Sequence, residues 1–188
     1  MFEGIKKVHF VGIGGIGMSG IAEVLISYGY SVRGSDLKKS EITQRLKRLG
    51  ARIYAGHDAK NLKDAEAVVF SSAVPKDNPE IREAMARKIP IIRRGEMLSE
   101  IVRKGFTIAV SGAHGKTTTT ALIGCAIRSK KINPTVILGG IFKGLSKNTI
   151  LGKGKVFVAE ADESDGSFRK IRPNIAVITN MDREHMEY

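Results

Sequence analysis

Residues 111–120, SGAHGKTTTT, place Gly112, Gly115, Lys116 and Thr117 in a loop suited to gripping phosphate. Backbone N–H groups from Gly112 to Thr117 can ring an anion at the start of a helix, and the Lys116 ammonium can reach the outer phosphates of a nucleotide. The Thr117 hydroxyl is placed to ligate Mg²⁺. The loop is nevertheless short. The pattern G-x-x-x-x-G-K-[ST] wants a glycine five positions before Gly115, and Val110 stands there. A second chemical cluster, EADESD at 160–165, follows the apolar run VFVA. Carboxylates crowded at the end of a strand repel one another unless a cation sits among them, and Mg²⁺ takes one or two carboxylates together with phosphate oxygens. Glu160, at the strand's end, is the first choice as ligand. His185 follows a third such run, NIAVITN. Imidazole is an unusual Mg²⁺ ligand, so chemistry alone favours a surface or capping role for it. His114 lies within phosphate reach in the loop, and His9 reads as a strand residue.

A hundred residues upstream, Gly12, Gly14 and Gly17 in GIGGIG satisfy G-x-G-x-x-G. Such glycines allow a tight turn and close backbone approach to a pyrophosphate at a helix N-terminus. Asp36 stands at about the spacing of a ribose-binding acid. NAD fits this loop, and so does any nucleoside diphosphate.

These loops need strands before them and helices after them, and the hydrophobic pattern supplies both. Strands are expected at 7–12, 31–35, 51–55, 67–72 and 89–93, with helices near 16–28, 40–49, 78–88 and 95–104. Pro79 falls in the first turn of its helix, where a missing N–H costs little. Alternating strands and helices imply a doubly wound, mostly parallel sheet. A second series begins with FTIAV at 106–110 and a helix from Lys116 to about Lys130. Strands at 135–140, 155–162 and 174–180 follow, and the polar, glycine-rich stretch 143–154 reads as a loop or hairpin. The boundary falls near 100–106, giving domains 1–104 and 105–188. No helix follows the last strand, so the second domain is expected to be cut off, because a parallel sheet needs cover on both faces.

The chain has 188 residues and a net charge of +12. Residues 1–105 carry 19 basic and 12 acidic side chains, and residues 106–188 carry 12 and 7. The excess is therefore spread along the chain rather than gathered in a basic tail, which argues against nucleic acid as a partner and suits attraction of small polyanions such as nucleotides. The glycines and charges within residues 8–26 argue against a membrane span. A single cysteine, Cys125, suits a reducing cytoplasm. It sits in the apolar stretch ALIGCAI and is expected in the core.

Together, HFVGIGGIGMSGIAEVL, GSD, SSAVPKDNPE, SGAHGKTTTT, EADESD and ITNMDREHMEY resemble the Mur ligases of peptidoglycan synthesis, in order along the whole chain. The family loop usually reads G-T-H-G-K-T. Ala113 departs from it but contributes through its backbone. The branch that joins L-alanine to UDP-N-acetylmuramate matches best. The related murein-peptide recycling ligases usually carry Tyr where Ser164 stands.

The resemblance implies a Rossmann-like UDP-sugar-binding domain followed by the first part of a P-loop-type ATP-binding domain. By position, Gly12, Gly14, Gly15 and Gly17 would approach the diphosphate. Asp36, His57, Ser71 and Ser72 would lie near the uridine and sugar. Gly112, Ala113, His114, Gly115, Lys116, Thr117 and Thr118 would hold ATP. Thr117, Glu160 and His185 match the family's magnesium ligands, which reverses the chemical argument against His185. Lys116, Glu160 and His185 would carry the catalysis. The implied reaction is ATP-driven amide formation through an acyl phosphate, in the cytoplasm, serving cell-wall synthesis, cell shape and division. The remaining expectations are that these residues alone do not ligate, and, as alternatives, a nucleotide-binding module without chemistry or a basic nucleic-acid-binding NTPase.

Overall fold

The computed structural model describes residues 4–129, 131–142, 147–162 and 167–182. The chain divides into two compact units, Met1–Arg94 and Gly95–Tyr188. Each is an α/β layer structure, as the alternating pattern requires.

In the first unit, the described residues form a five-stranded parallel sheet ordered β3-β2-β1-β4-β5. Its strands are β1 (Lys7–Val11), β2 (Ser31–Asp36), β3 (Arg52–Ala55), β4 (Ala67–Phe70) and β5 (Ile91–Arg93). The helices α1 (Ile16–Ser27), α2 (Glu41–Arg48) and α3 (Pro79–Ala86) connect them. The order reverses direction between β1 and β4, so their carboxyl ends open the crevice in which such sheets bind ligands. β1 is buried from Val8 to Val11, as an inner strand covered on both faces must be. Val11, Leu62, Val68, Ile81 and Ala84 form a core cluster between this sheet and α3. α2 starts from a capping box, with Ser40 Oγ accepting from Thr43 N–H and Thr43 Oγ1 accepting from Ser40 N–H. α3 starts at Pro79, with the Asn78 side chain capping Glu80 N–H.

The second unit opens with α4 (Arg94–Val102), which the sequence boundary near 100–106 had placed in the first domain. Then come β6 (Phe106–Ser111), α5 (Lys116–Ala126), β7 (Thr135–Phe142), β8 (Lys147–Ile150), β9 (Val156–Glu160) and β10 (Ile175–Ile178). Their sheet is ordered β10-β6-β9-β7-β8. It is parallel except for β8, which pairs antiparallel with β7, so the polar stretch read as a loop or hairpin contains a strand. Ile108, Ala121, Val136, Leu138 and Val158 form the core beneath α5. A Cβ on Gly124 would stand 2.6 Å from Val136 Cγ2, so this glycine allows α5 to lie close against β7.

Cys125 is exposed, which corrects its expected place in the core. The buried positions of α5 are Thr120, Ala121 and Gly124. Consecutive helical residues point about 100° apart, so Cys125 falls off the face that Gly124 presents to the sheet. No helix among the described residues is long and apolar enough to cross a membrane.

Candidate functional site

Two candidate sites lie at carboxyl ends of strands, one in each unit. In the first, β1 runs into Gly12, whose φ of 77° lies in the left-handed region that glycine adopts without penalty. The turn is held by Gly12 N–H and Ile13 N–H, which donate to Ser35 O at 2.9 and 3.0 Å. Gly15 is the N-cap of α1 and brings no side chain to the helix start, whose N-terminal end favours an anion. A Cβ on Gly17 would stand 2.6 Å from the Arg94 guanidinium. Arg94 thus adds a cation beside the first turn of α1, a residue the sequence reading did not single out. The signal for it was the pair of arginines directly after the IPII run.

Asp36 lies at the end of β2, and its Oδ2 accepts from Gly14 N–H at 2.8 Å. The carboxylate therefore braces the glycine loop itself. It also lines a cavity of about 230 Å³ with Lys38, Lys39, Lys47 and Tyr54. Lysines around one carboxylate make this cavity suited to an anionic ligand. Ser71 and Ser72 begin the turn after β4, half-buried and exposed respectively. In that turn Val74 N–H donates to Ser71 O at 3.1 Å, and Val74 stands 3.5 Å from where a Cβ on Gly12 would be. His57 follows β3, and its Nδ1 lies 2.8 Å from Ser35 Oγ. Gly12, Gly14, Gly15, Gly17, Asp36, His57, Ser71 and Ser72 thus gather at one edge of the sheet, where parallel α/β sheets bind ligands.

In the second unit, β6 enters the loop 112–115 and α5 leaves it. Gly112 and Gly115 have φ of 131° and 79°, values costly for other residues. Lys116 Nζ donates to Gly112 O at 2.5 Å and Ala113 O at 3.2 Å, so the ammonium lies across the loop. The residues after β10 clamp the loop from the side. Asn180 Oδ1 accepts from His114 N–H at 2.9 Å, and Asn180 Nδ2 and Thr179 Oγ1 donate to His114 O at 3.0 and 2.6 Å. Neither clamping residue was singled out from the sequence.

Glu160 ends β9 and is 7% exposed. Burial pushes its carboxyl above the usual glutamate range, against hydrogen bonds from Gly139 N–H and the Thr117 hydroxyl that pull it down. Thr117 and Glu160, far apart in sequence, are therefore in hydrogen-bond contact. Glu160 Oε1 is buried and has no hydrogen-bond partner among the described residues. A buried carboxylate oxygen of this kind, next to a hydroxyl, suits a hard cation such as Mg²⁺, which takes oxygen ligands. Among the described residues, no three His, Cys, Asp or Glu side chains group closely enough to form a metal cage on their own. His185 lies outside the described residues, as do two of the other three carboxylates of the acidic motif, Glu163 and Asp165; the third, Asp162, is described, and its charge adds to the upward push on Glu160. Thr118 is exposed on the first turn of α5.

Residues 7–106 match the Mur ligase family catalytic domain, and residues 110–188 match the Mur ligase middle domain. UDP-N-acetylmuramate–L-alanine ligases of Syntrophotalea carbinolica and Aquifex aeolicus are 57% and 56% identical over 188 and 186 residues, or 100% and 99% of this chain. The chain spans 41% of the length of each. The crystal structure of the UDP-N-acetylmuramate–alanine ligase of Thermotoga maritima superposes with a TM-score of 0.87 at 41% identity, covering 96% of this chain and 43% of that one. The UDP-N-acetylmuramate:L-alanyl-γ-D-glutamyl-meso-diaminopimelate ligase of Neisseria meningitides has a TM-score of 0.86 at 27% identity, covering 96% of this chain and 62% of that one. The two sheets, their glycine loops and both domain matches lead to one conclusion: the chain belongs to the Mur ligase family.

Proposed function

We propose that the protein of which these residues form the UDP-sugar-binding and first ATP-binding parts joins L-alanine to UDP-N-acetylmuramate, using ATP. The observation that carries this reading is the contact between Thr117 and Glu160 beside the Lys116 loop. Support for the amino acid comes from the solved structures, where the alanine ligase is 41% identical against 27% for the tripeptide ligase, and from curated relatives named as L-alanine ligases at 56–57% identity.

In this reading residues 1–104 hold the UDP-sugar and residues 105–188 hold ATP. The N-terminus of α1 and Arg94 offset the diphosphate charge. The N–H groups of 112–117 wrap the ATP phosphates, and Lys116 swings from its carbonyl partners to the γ-phosphate. Thr117, Glu160 and His185 would hold the magnesium ion. When bound, that ion supplies neutralisation of phosphate charge. The substrate carboxylate attacks the γ-phosphorus and ADP leaves, giving an acyl phosphate. The amine of L-alanine then attacks the carbonyl, inorganic phosphate leaves, and the amine loses its proton as the amide forms. Phosphorylation is needed because hydroxide is a poor leaving group. Reaction in the cytoplasm and service to cell-wall synthesis belong to the same proposal.

Titration of the chain with UDP-N-acetylmuramate and with NADH tests the first site. The expected result is saturable binding of the UDP-sugar and none of NADH. Tight NADH binding without UDP-sugar binding would instead support a dinucleotide module and refute the ligase reading.

A further inference from the structure

Beneath the first site lies a buried polar network that the reaction scheme does not use. Glu80 and His9 are both 0% exposed. Glu80 Oε2 lies 3.3 Å from His9 Nε2, 2.5 Å from Ser35 Oγ and 3.5 Å from His57 Nδ1. Its Oε1 accepts from Asn61 Nδ2 at 2.7 Å. Burial alone would raise this carboxyl, but the hydrogen bonds from His9, Ser35 and Asn61 outweigh it and hold Glu80 below the usual range, hence ionised.

An ionised carboxylate only accepts hydrogen bonds. The Ser35 hydroxyl must therefore donate its single proton to Glu80. Its oxygen can then meet His57 Nδ1, 2.8 Å away, only as an acceptor, so Nδ1 carries the proton. The nearby Glu80 oxygen favours the same arrangement, because a lone pair on Nδ1 would face negative charge. In the neutral ring Nε2 is then a bare acceptor. The His57 side chain is 16% exposed, and with Nδ1 turned inward Nε2 is the nitrogen left for a ligand.

We propose that Glu80 and Ser35 are positioning residues that fix the Nδ1–H form of His57, so that Nε2 accepts a hydrogen bond from a hydroxyl or N–H group of the UDP-sugar. This rests on the reading that the first unit binds UDP-N-acetylmuramate, and it makes that unit a reader of donor groups as well as of phosphate charge. The opposite tautomer would present an N–H to the ligand's own donor and repel it.

Nitrogen-15 NMR of the imidazoles in the unaltered chain reads the tautomer directly. The expected spectrum shows His57 protonated at Nδ1, with the Nε2 resonance moving when UDP-N-acetylmuramate is added. In Ser35→Ala, a near-isosteric change, the Nε2–H form should gain population. UDP-sugar affinity should fall about tenfold, the scale of one hydrogen bond, with ATP affinity unchanged. Glu80→Gln, which replaces one acceptor oxygen with a donor, should do the same. A His57 ring protonated at Nε2 in the unaltered chain overturns the proposal, and so does UDP-sugar binding that leaves the Nε2 resonance in place. That second outcome leaves the ligase reading standing. Failure of UDP-N-acetylmuramate to bind at all would instead defeat the reading on which the proposal rests.

Discussion

Glu160 is held by its neighbours on both sides. A Cβ on Gly139 would stand 2.5 Å from its Oε2, and one on Gly140 would stand 3.3 Å from Thr117 Oγ1. β7 therefore gives up two side chains to let the carboxylate and the hydroxyl meet. Gly139→Ala should displace Glu160 and weaken Mg²⁺ binding by about 10- to 100-fold, the usual cost of disturbing a ligand's support. Mg²⁺ titration of ATP binding measures this, and unchanged affinity would refute the clearance argument. Lys116→Ala in the full-length protein should cut ATP turnover by about 10²- to 10³-fold, the scale of losing one group aimed at transition-state charge. Normal turnover would remove Lys116 from the mechanism. The types and spacing of Lys116, Thr117 and Glu160 were legible in the sequence. Gly139 and Gly140 were not, because their importance is a distance to a side chain on another strand.

At the scale of elements, the loop 112–115 depends on β10 as much as on α5. Two residues past β10 make three hydrogen bonds to the backbone of His114. Asn180→Ala removes two of them, worth about 1 kcal/mol each. ATP affinity should fall by roughly an order of magnitude or more, with UDP-sugar affinity unchanged, and equal loss at both sites would point to general unfolding instead. In the first unit, the Glu80 network ties β1, β2 and the start of α3 together. Its carboxyl is held low in the fold, so its contribution to stability is complete above the ordinary glutamate range. That contribution is lost as pH falls below the range towards the lowered value. Thermal unfolding of the unaltered chain should therefore show an acid-side fall in Tm that Glu80→Gln flattens, and parallel pH curves for the two would contradict this. Strand and helix positions followed from the 2- and 3.6-residue hydrophobic periods, to within a few residues at each end. β8 was readable only as a loop or hairpin, because its sequence, KNTI, has little apolar pattern and its pairing with β7 decides its state.

At the scale of the molecule, the chain spans 41% of the length of its curated relatives. We expect these 188 residues to bind UDP-N-acetylmuramate without ligating it. Phosphate release from ATP that requires both UDP-N-acetylmuramate and L-alanine would overturn that expectation. What the sequence by itself determined is the order of strands and helices, the two glycine loops, and the family, because these depend on neighbours within a few residues or on short motifs. Only the tertiary structure decided which distant groups meet. It placed Thr117 against Glu160, Asn180 against His114, Arg94 beside Gly17, and Glu80 behind His57, and it turned Cys125 out of the core. The physical reason is that hydrogen-bond contact and burial are set by strand order and helix docking, which bring together residues that the sequence keeps tens of positions apart.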